Sequence, residues 1–145
     1  MSIVFRCILA AGVLVTLVGS ATAQMGGPKD PVTAVEKARL PAFCWKGMNV
    51  PNAEGPEFRM PPDCGPGTNH YCTGLVRLMR AKNASGNNRL ALLRMAADDV
   101  NYTRGGIAAY PKCGLRDHVE ASKAEVDVLL RIYGGAQSRT SGKPN

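Results

Sequence analysis

Apolar positions along this chain recur at helical spacing in three stretches, which predicts an all-α protein. The most regular is 115–133, where Leu115, Val119, Ser122, Val126, Leu129 and Tyr133 advance in steps of four and three. Such steps put all six on one face of a helix. Ala121, Ala124, Val128 and Ile132 form a second apolar stripe on its other side. A helix at 31–39 is expected to cover that stripe; the sharper alternative is a face that docks a partner or a second copy. Over 88–104, Leu90, Leu92, Leu93, Ala96, Ala97 and Val100 make one apolar face, after a Ser85-Gly86 turn. Gly105-Gly106 and Gly134-Gly135 follow these two helices and read as C-cap signals.

The third stretch, 69–81, organises the rest. At 100° per residue, Tyr71, Cys72, Leu75, Val76, Leu78 and Met79 fall within an arc of about 160°. Cys72 is therefore expected to face the core. His70, Thr73, Arg77 and Arg80 fall outside that arc and are expected to face solvent, while Gly74 would admit a neighbouring backbone.

Around these helices the organisation follows from punctuation. Arg6, the apolar run 8–18 and Ala21-Thr22-Ala23 have the form of a signal peptide, 1–23, cleaved before Gln24. Its apolar run is shorter than the ~20 residues that span a bilayer, and no later stretch approaches that length. A periplasmic or secreted protein without a membrane span after cleavage is expected. Residues 24–29 read as a disordered lead, 30–135 as a single helical domain and 136–145 as a polar, disordered tail. Within the domain, Asp30-Pro31 offers an N-cap and a first helical residue, the helix ends near Arg39, and Pro41 starts a turn carrying Phe43, Cys44 and Trp45. Residues 46–68 are rich in proline and glycine without any period, hence a long loop. The fold class is a small disulfide-braced domain of three to four helices.

Five cysteines are present; Cys7 leaves with the signal. Cys44, Cys64, Cys72 and Cys113 remain, an even number in an exported chain, which implies two disulfides. Three pairings are possible. Joining Cys64 to Cys72 would close only a short Gly-Pro-Gly turn, whereas bridges across long loops constrain the unfolded chain more. That favours Cys44 with Cys72 and Cys64 with Cys113.

The formal charge is +7, and loss of Arg6 lowers it by one. No basic run occurs and aromatic residues are too few to interleave with the cations, which argues against nucleic acid. A mildly basic exported protein could meet anionic envelope polymers or acidic protein surfaces; the plainer expectation is a soluble protein whose charges are simply solvated.

Leu40-Pro41-Ala42-Phe43-Cys44, then Asn69-His70-Tyr71-Cys72-Thr73-Gly74-Leu75 with Arg80-Ala81, then Tyr110-Pro111, together resemble small exported proteobacterial-type proteins. These carry an H-Y-C-x-G-L element ahead of tetratricopeptide-like helical hairpins. The resemblance covers about residues 40–134. It implies an all-helical domain with an interaction role, and supplies no catalytic residue.

Chemistry-bearing patterns are sparse. The serines show no nucleophile-elbow spacing, and adjacent Asp98 and Asp99 would point about 100° apart on a helix, too divergent to flank one bond. C-x2-C, H-x3-H and C-x-x-C-H spacings do not occur, so neither a metal nor another cofactor is expected. Asn83-Ala84-Ser85 and Asn101-Tyr102-Thr103 match glycosylation acceptors, a chance match in a bacterial envelope protein. The expected function is a non-enzymatic interaction or scaffold module whose partner is another envelope protein. Its candidate binding residues are His70, Arg77, Arg80 and Trp45, because aromatic and arginine side chains anchor interfaces. A structural or stress-related envelope protein without a dedicated ligand is the alternative, and a small hydrolase or enzyme inhibitor the third.

Overall fold

A computed structural model of the chain describes residues 31–140. The signal segment 1–23, the lead 24–29, Asp30 and residues 141–145 lie outside the described residues. Five α-helices and no strand occur among the described residues: α1 (Ala34–Arg39), α2 (Phe43–Gly47), α3 (Asn69–Asn83), α4 (Gly86–Ile107) and α5 (Arg116–Thr140). One 3-10 turn, Pro56–Phe58, interrupts the long loop. No helix among these residues is long and apolar enough to cross a membrane.

α1 begins at Ala34 with Thr33 as its N-cap, later than the Asp30-Pro31 signal suggests. Thr33 and Glu36 form a capping box: the Thr33 hydroxyl accepts the Glu36 N–H at 3.2 Å, and the Glu36 carboxylate accepts the Thr33 N–H at 2.7 Å. Two first-turn donors are thereby satisfied reciprocally, a stronger start than proline alone provides.

α4 runs back along α3, and α5 back along α4. Thr103 donates to the Gly67 carbonyl at one end of the first pair, while Leu93 packs with Leu78 and Ala81 toward the other. In the second pair Arg104 meets Glu120, and Arg89 lies over the Tyr133 ring. Three clusters form the core. Tyr71, Val100, Ile107, Leu115 and Val119 fill the region near the start of α5, and Leu78, Leu93, Ala96 and Val126 fill its middle. Leu40, Cys44, Cys72 and Val76 attach α1 and α2 to α3.

Both bridges fasten the irregular N-terminal half to this bundle. Cys44 is bonded to Cys72, 28 residues on, and Cys64 to Cys113, 49 residues on. This is the pairing that loop closure favours. Tyr71 adds a third tie: its hydroxyl donates to the His118 carbonyl and pairs with Ser122 Oγ, both at 3.0 Å. Burial pushes the phenol up from its ordinary value of 10.0, against a smaller opposing effect of the Ser122 hydrogen bond.

Neither glycine pair ends its helix. α4 continues through Gly105 and Gly106 to Ile107, and α5 through Gly134 and Gly135 to Thr140. A glycine C-cap needs a left-handed residue, and positive φ among the described glycines occurs only at Gly67 and Gly86. Gly106 serves close approach instead, since a Cβ there would sit 2.4 Å from the Pro66 carbonyl oxygen. Nothing lies within 4 Å of the equivalent point at Gly105. Gly106→Ala is therefore expected to cost about 2 kcal/mol through overpacking, whereas Gly105→Ala should gain roughly 0.5–1 kcal/mol of helix propensity. Urea unfolding of the two variants checks the contrast in sign.

The covering of α5 also differs from expectation. α1 sits on α3, to which Glu36 ties it, and leaves Val128 44% and Ile132 57% exposed.

Candidate functional site

The four residues expected to bind a partner, His70, Arg77, Arg80 and Trp45, sit on α2 and α3, but they do not share a solvent-facing side. The reason is the Gly74 and Ala81 edge of α3. Both are buried, and a Cβ at Gly74 would meet Asp99 Cβ at 3.0 Å and Val100 Cγ2 at 3.4 Å. α4 therefore lies against the edge of α3 where Gly74 and Ala81 adjoin Tyr71 and Leu78. Arg77 and His70 border this contact and turn onto α4.

Asp99 is the focus of that contact. Its side chain is 8% exposed, its Oδ2 accepts from Arg77 Nη1 at 2.5 Å, and its Oδ1 lies 3.3 Å from His70 Nδ1. Thr103 Oγ1 caps the arrangement by donating to the Asp99 and Gly67 carbonyls. Asp98, its neighbour, is exposed, so the two carboxylates diverge as a helix requires.

The His70 side chain remains 44% exposed. Its ring lies against Tyr102, centroids 4.4 Å apart, and Tyr102 in turn lies over Gly67. A histidine held to a carboxylate through one ring nitrogen needs a hydroxyl at the other to act as a general base. The neighbouring Thr103 hydroxyl, however, is directed at backbone carbonyls. The geometry clamps α3 to α4 and presents an imidazole and a phenol side by side at the surface.

Arg80 is likewise turned inward, toward α1. Its Nε donates to Glu36 Oε1 at 2.6 Å and its Nη2 to the Pro31 carbonyl at 3.1 Å. The Arg80 guanidinium, with help from Thr33, holds the Glu36 carboxyl down at about 2, from an ordinary 4.5. A carboxyl depressed by folding stabilises the fold above its unfolded pKa, and that stability is lost as pH falls through the folded value. Glu36→Gln should thus lower the melting temperature at neutral pH, and its deficit against wild type should shrink between about pH 4.5 and about 2. Thermal melts across that window check it.

Trp45 packs against Phe58, ring centroids 5.5 Å apart, and its indole N–H is buried without an acceptor. It belongs to the wall of the long loop and lies apart from the α3–α4 contact. Cys44, Cys64, Cys72 and Cys113 are all consumed in disulfides. No cluster of three or more His, Cys, Asp or Glu able to hold a metal occurs among the described residues.

Sequence reasoning missed Asp99, Glu36 and Tyr102. A signal existed for Glu36 in the Thr33-Ala34-Val35-Glu36 capping pattern; none existed for Asp99, whose partners lie 22 and 29 residues away. Comparison with protein families, curated proteins and solved structures returned no match.

Proposed function

We propose that this domain is a non-catalytic interaction or scaffold module of the bacterial envelope, exported by its signal peptide and engaging another envelope protein. The observation that carries the reading is the exposed His70 and Tyr102 pair, mounted on a helical hairpin that a buried ion pair and two disulfides hold in place. Rigid aromatic side chains lose little entropy when a partner covers them, which is why they anchor interfaces. Tyr102 is 59% exposed and Tyr110, pressed beside Gly65, is 40% exposed. The antiparallel α3 and α4 also suit a tetratricopeptide-like hairpin. Arg77 and Arg80 drop out of the binding surface, because their guanidinium groups join helices within the domain.

Photo-cross-linking in intact cells tests this. A photoreactive phenylalanine derivative at position 102 is expected to give one discrete protein adduct, and the same group at exposed Arg94 none. Equal patterns from the two positions would contradict the assignment and favour a structural envelope protein without a dedicated ligand.

A further inference from the structure

The end of α2 and the long loop after it bear an open surface depression of about 600 Å³, lined by Lys46, Asn49, Val50, Asn52, Ala53 and Glu54, of which Ala53 alone is buried. It lies on a different part of the chain from His70 and Tyr102, and the inference below does not rest on that surface. Its size falls within the ~300–1,000 Å³ usual for small-ligand sites.

The lining has a specific chemistry. Asn49 and Asn52 both stand in the left-handed region, with φ of 53° and 63°. Asparagine is among the few residues besides glycine that adopt this region readily, and both positions contribute a carboxamide to the lining. Each carboxamide is a donor and an acceptor in one plane. Lys46 and Glu54 contribute one charge of each sign, so the lining is formally neutral although the chain as a whole carries +7. A site for a polyanion would gather cations instead. Half-buried Val50 and buried Ala53 supply a small apolar patch between the amides. The backbone is held in turns: the Val50 and Met48 N–H groups both donate to the Trp45 carbonyl, and the Asn49 N–H to the Lys46 carbonyl.

We propose that this depression binds a short, uncharged glycan bearing acetamido groups. The amide N–H and C=O of the acetamido group pair with the Asn49 and Asn52 carboxamides, its methyl rests on Val50, and Lys46 and Glu54 take up ring hydroxyls. A lining without net charge and an uncharged ligand together predict affinity that is insensitive to salt.

The test uses tri-N-acetylchitotriose and the fluorescence of Trp45, the single tryptophan of the chain, whose carbonyl anchors the depression's turns. Saturable binding in the range of about 1 mM or tighter is expected, unchanged between about 50 and about 500 mM salt. Cellotriose, which lacks acetamido groups, should bind at least about tenfold more weakly, a difference near 1.4 kcal/mol. The variant Asn49→Gly with Asn52→Gly deletes both carboxamides while keeping a residue suited to positive φ. Its melting temperature is expected to equal or approach that of wild type, with binding weakened at least about tenfold. Absence of saturable binding, equal affinity for the two sugars, or wild-type affinity in the double glycine variant would each overturn the proposal. Should the double variant melt early, Asn52→Gly alone supplies the same comparison.

Discussion

Asp99→Ala will destabilise the domain by about 3 kcal/mol, at the lower end of the range for breaking a buried ion pair. The loss is large because Arg77 keeps its charge at a contact where its side chain is 13% exposed, without the buried carboxylate that offsets it. Replacing a well-packed pair by apolar groups on both sides is often neutral, whereas removing one member leaves a charge uncompensated. Arg77→Met combined with Asp99→Leu should therefore recover much of what Asp99→Ala loses. His70→Ala, which touches the same carboxylate at 3.3 Å from a half-exposed ring, should cost under about 1 kcal/mol. Urea denaturation of the four proteins decides the matter. A change below about 1 kcal/mol for Asp99→Ala would show that this contact is solvated and does not hold the hairpin.

Removing the Cys64–Cys113 bridge as the double alanine variant will cost about 4 kcal/mol by the loop-closure relation, for a separation of 49 residues. The shorter Cys44–Cys72 loop, 28 residues, should cost slightly less on the same relation. The order has a structural consequence as well. Cys64 anchors the far end of the irregular loop next to Gly65-Pro66-Gly67, which lies against α4 through Gly106 and Tyr102. Its loss frees the loop where it meets the hairpin, so amide exchange should quicken through residues 55–67 before it quickens in α5. Equal stability of the bridged and unbridged proteins would contradict the view that the bridges compensate for a small core.

What the sequence disclosed follows from how each contact is written into it. The α5 face was legible because Leu115, Val119, Ser122 and Val126 repeat at helical steps and all four are buried. The disulfide pairing was legible in part: loop length disfavoured joining Cys64 to Cys72, and the structure pairs Cys44 with Cys72 and Cys64 with Cys113. The seat of α4 on α3 was not, because Gly74 and Ala81 bury themselves without adding to any hydrophobic pattern. Once that face is taken, Arg77 and Arg80 point at neighbouring helices, and their partners Asp99 and Glu36 lie 22 and 44 residues away. Helical spacing contains no information at such distances. The glycine pairs misled for a different reason: a glycine cap needs a positive φ, which neither pair adopts.

Non-reducing peptide mapping of the protein recovered from the producing cell's envelope or medium tests the central claim, an exported helical scaffold held by two specific bridges. A chain beginning at Gln24 is expected, with Cys44 linked to Cys72, Cys64 linked to Cys113 and no free thiol. Recovery with reduced cysteines, or with Cys64 joined to Cys72, would contradict it.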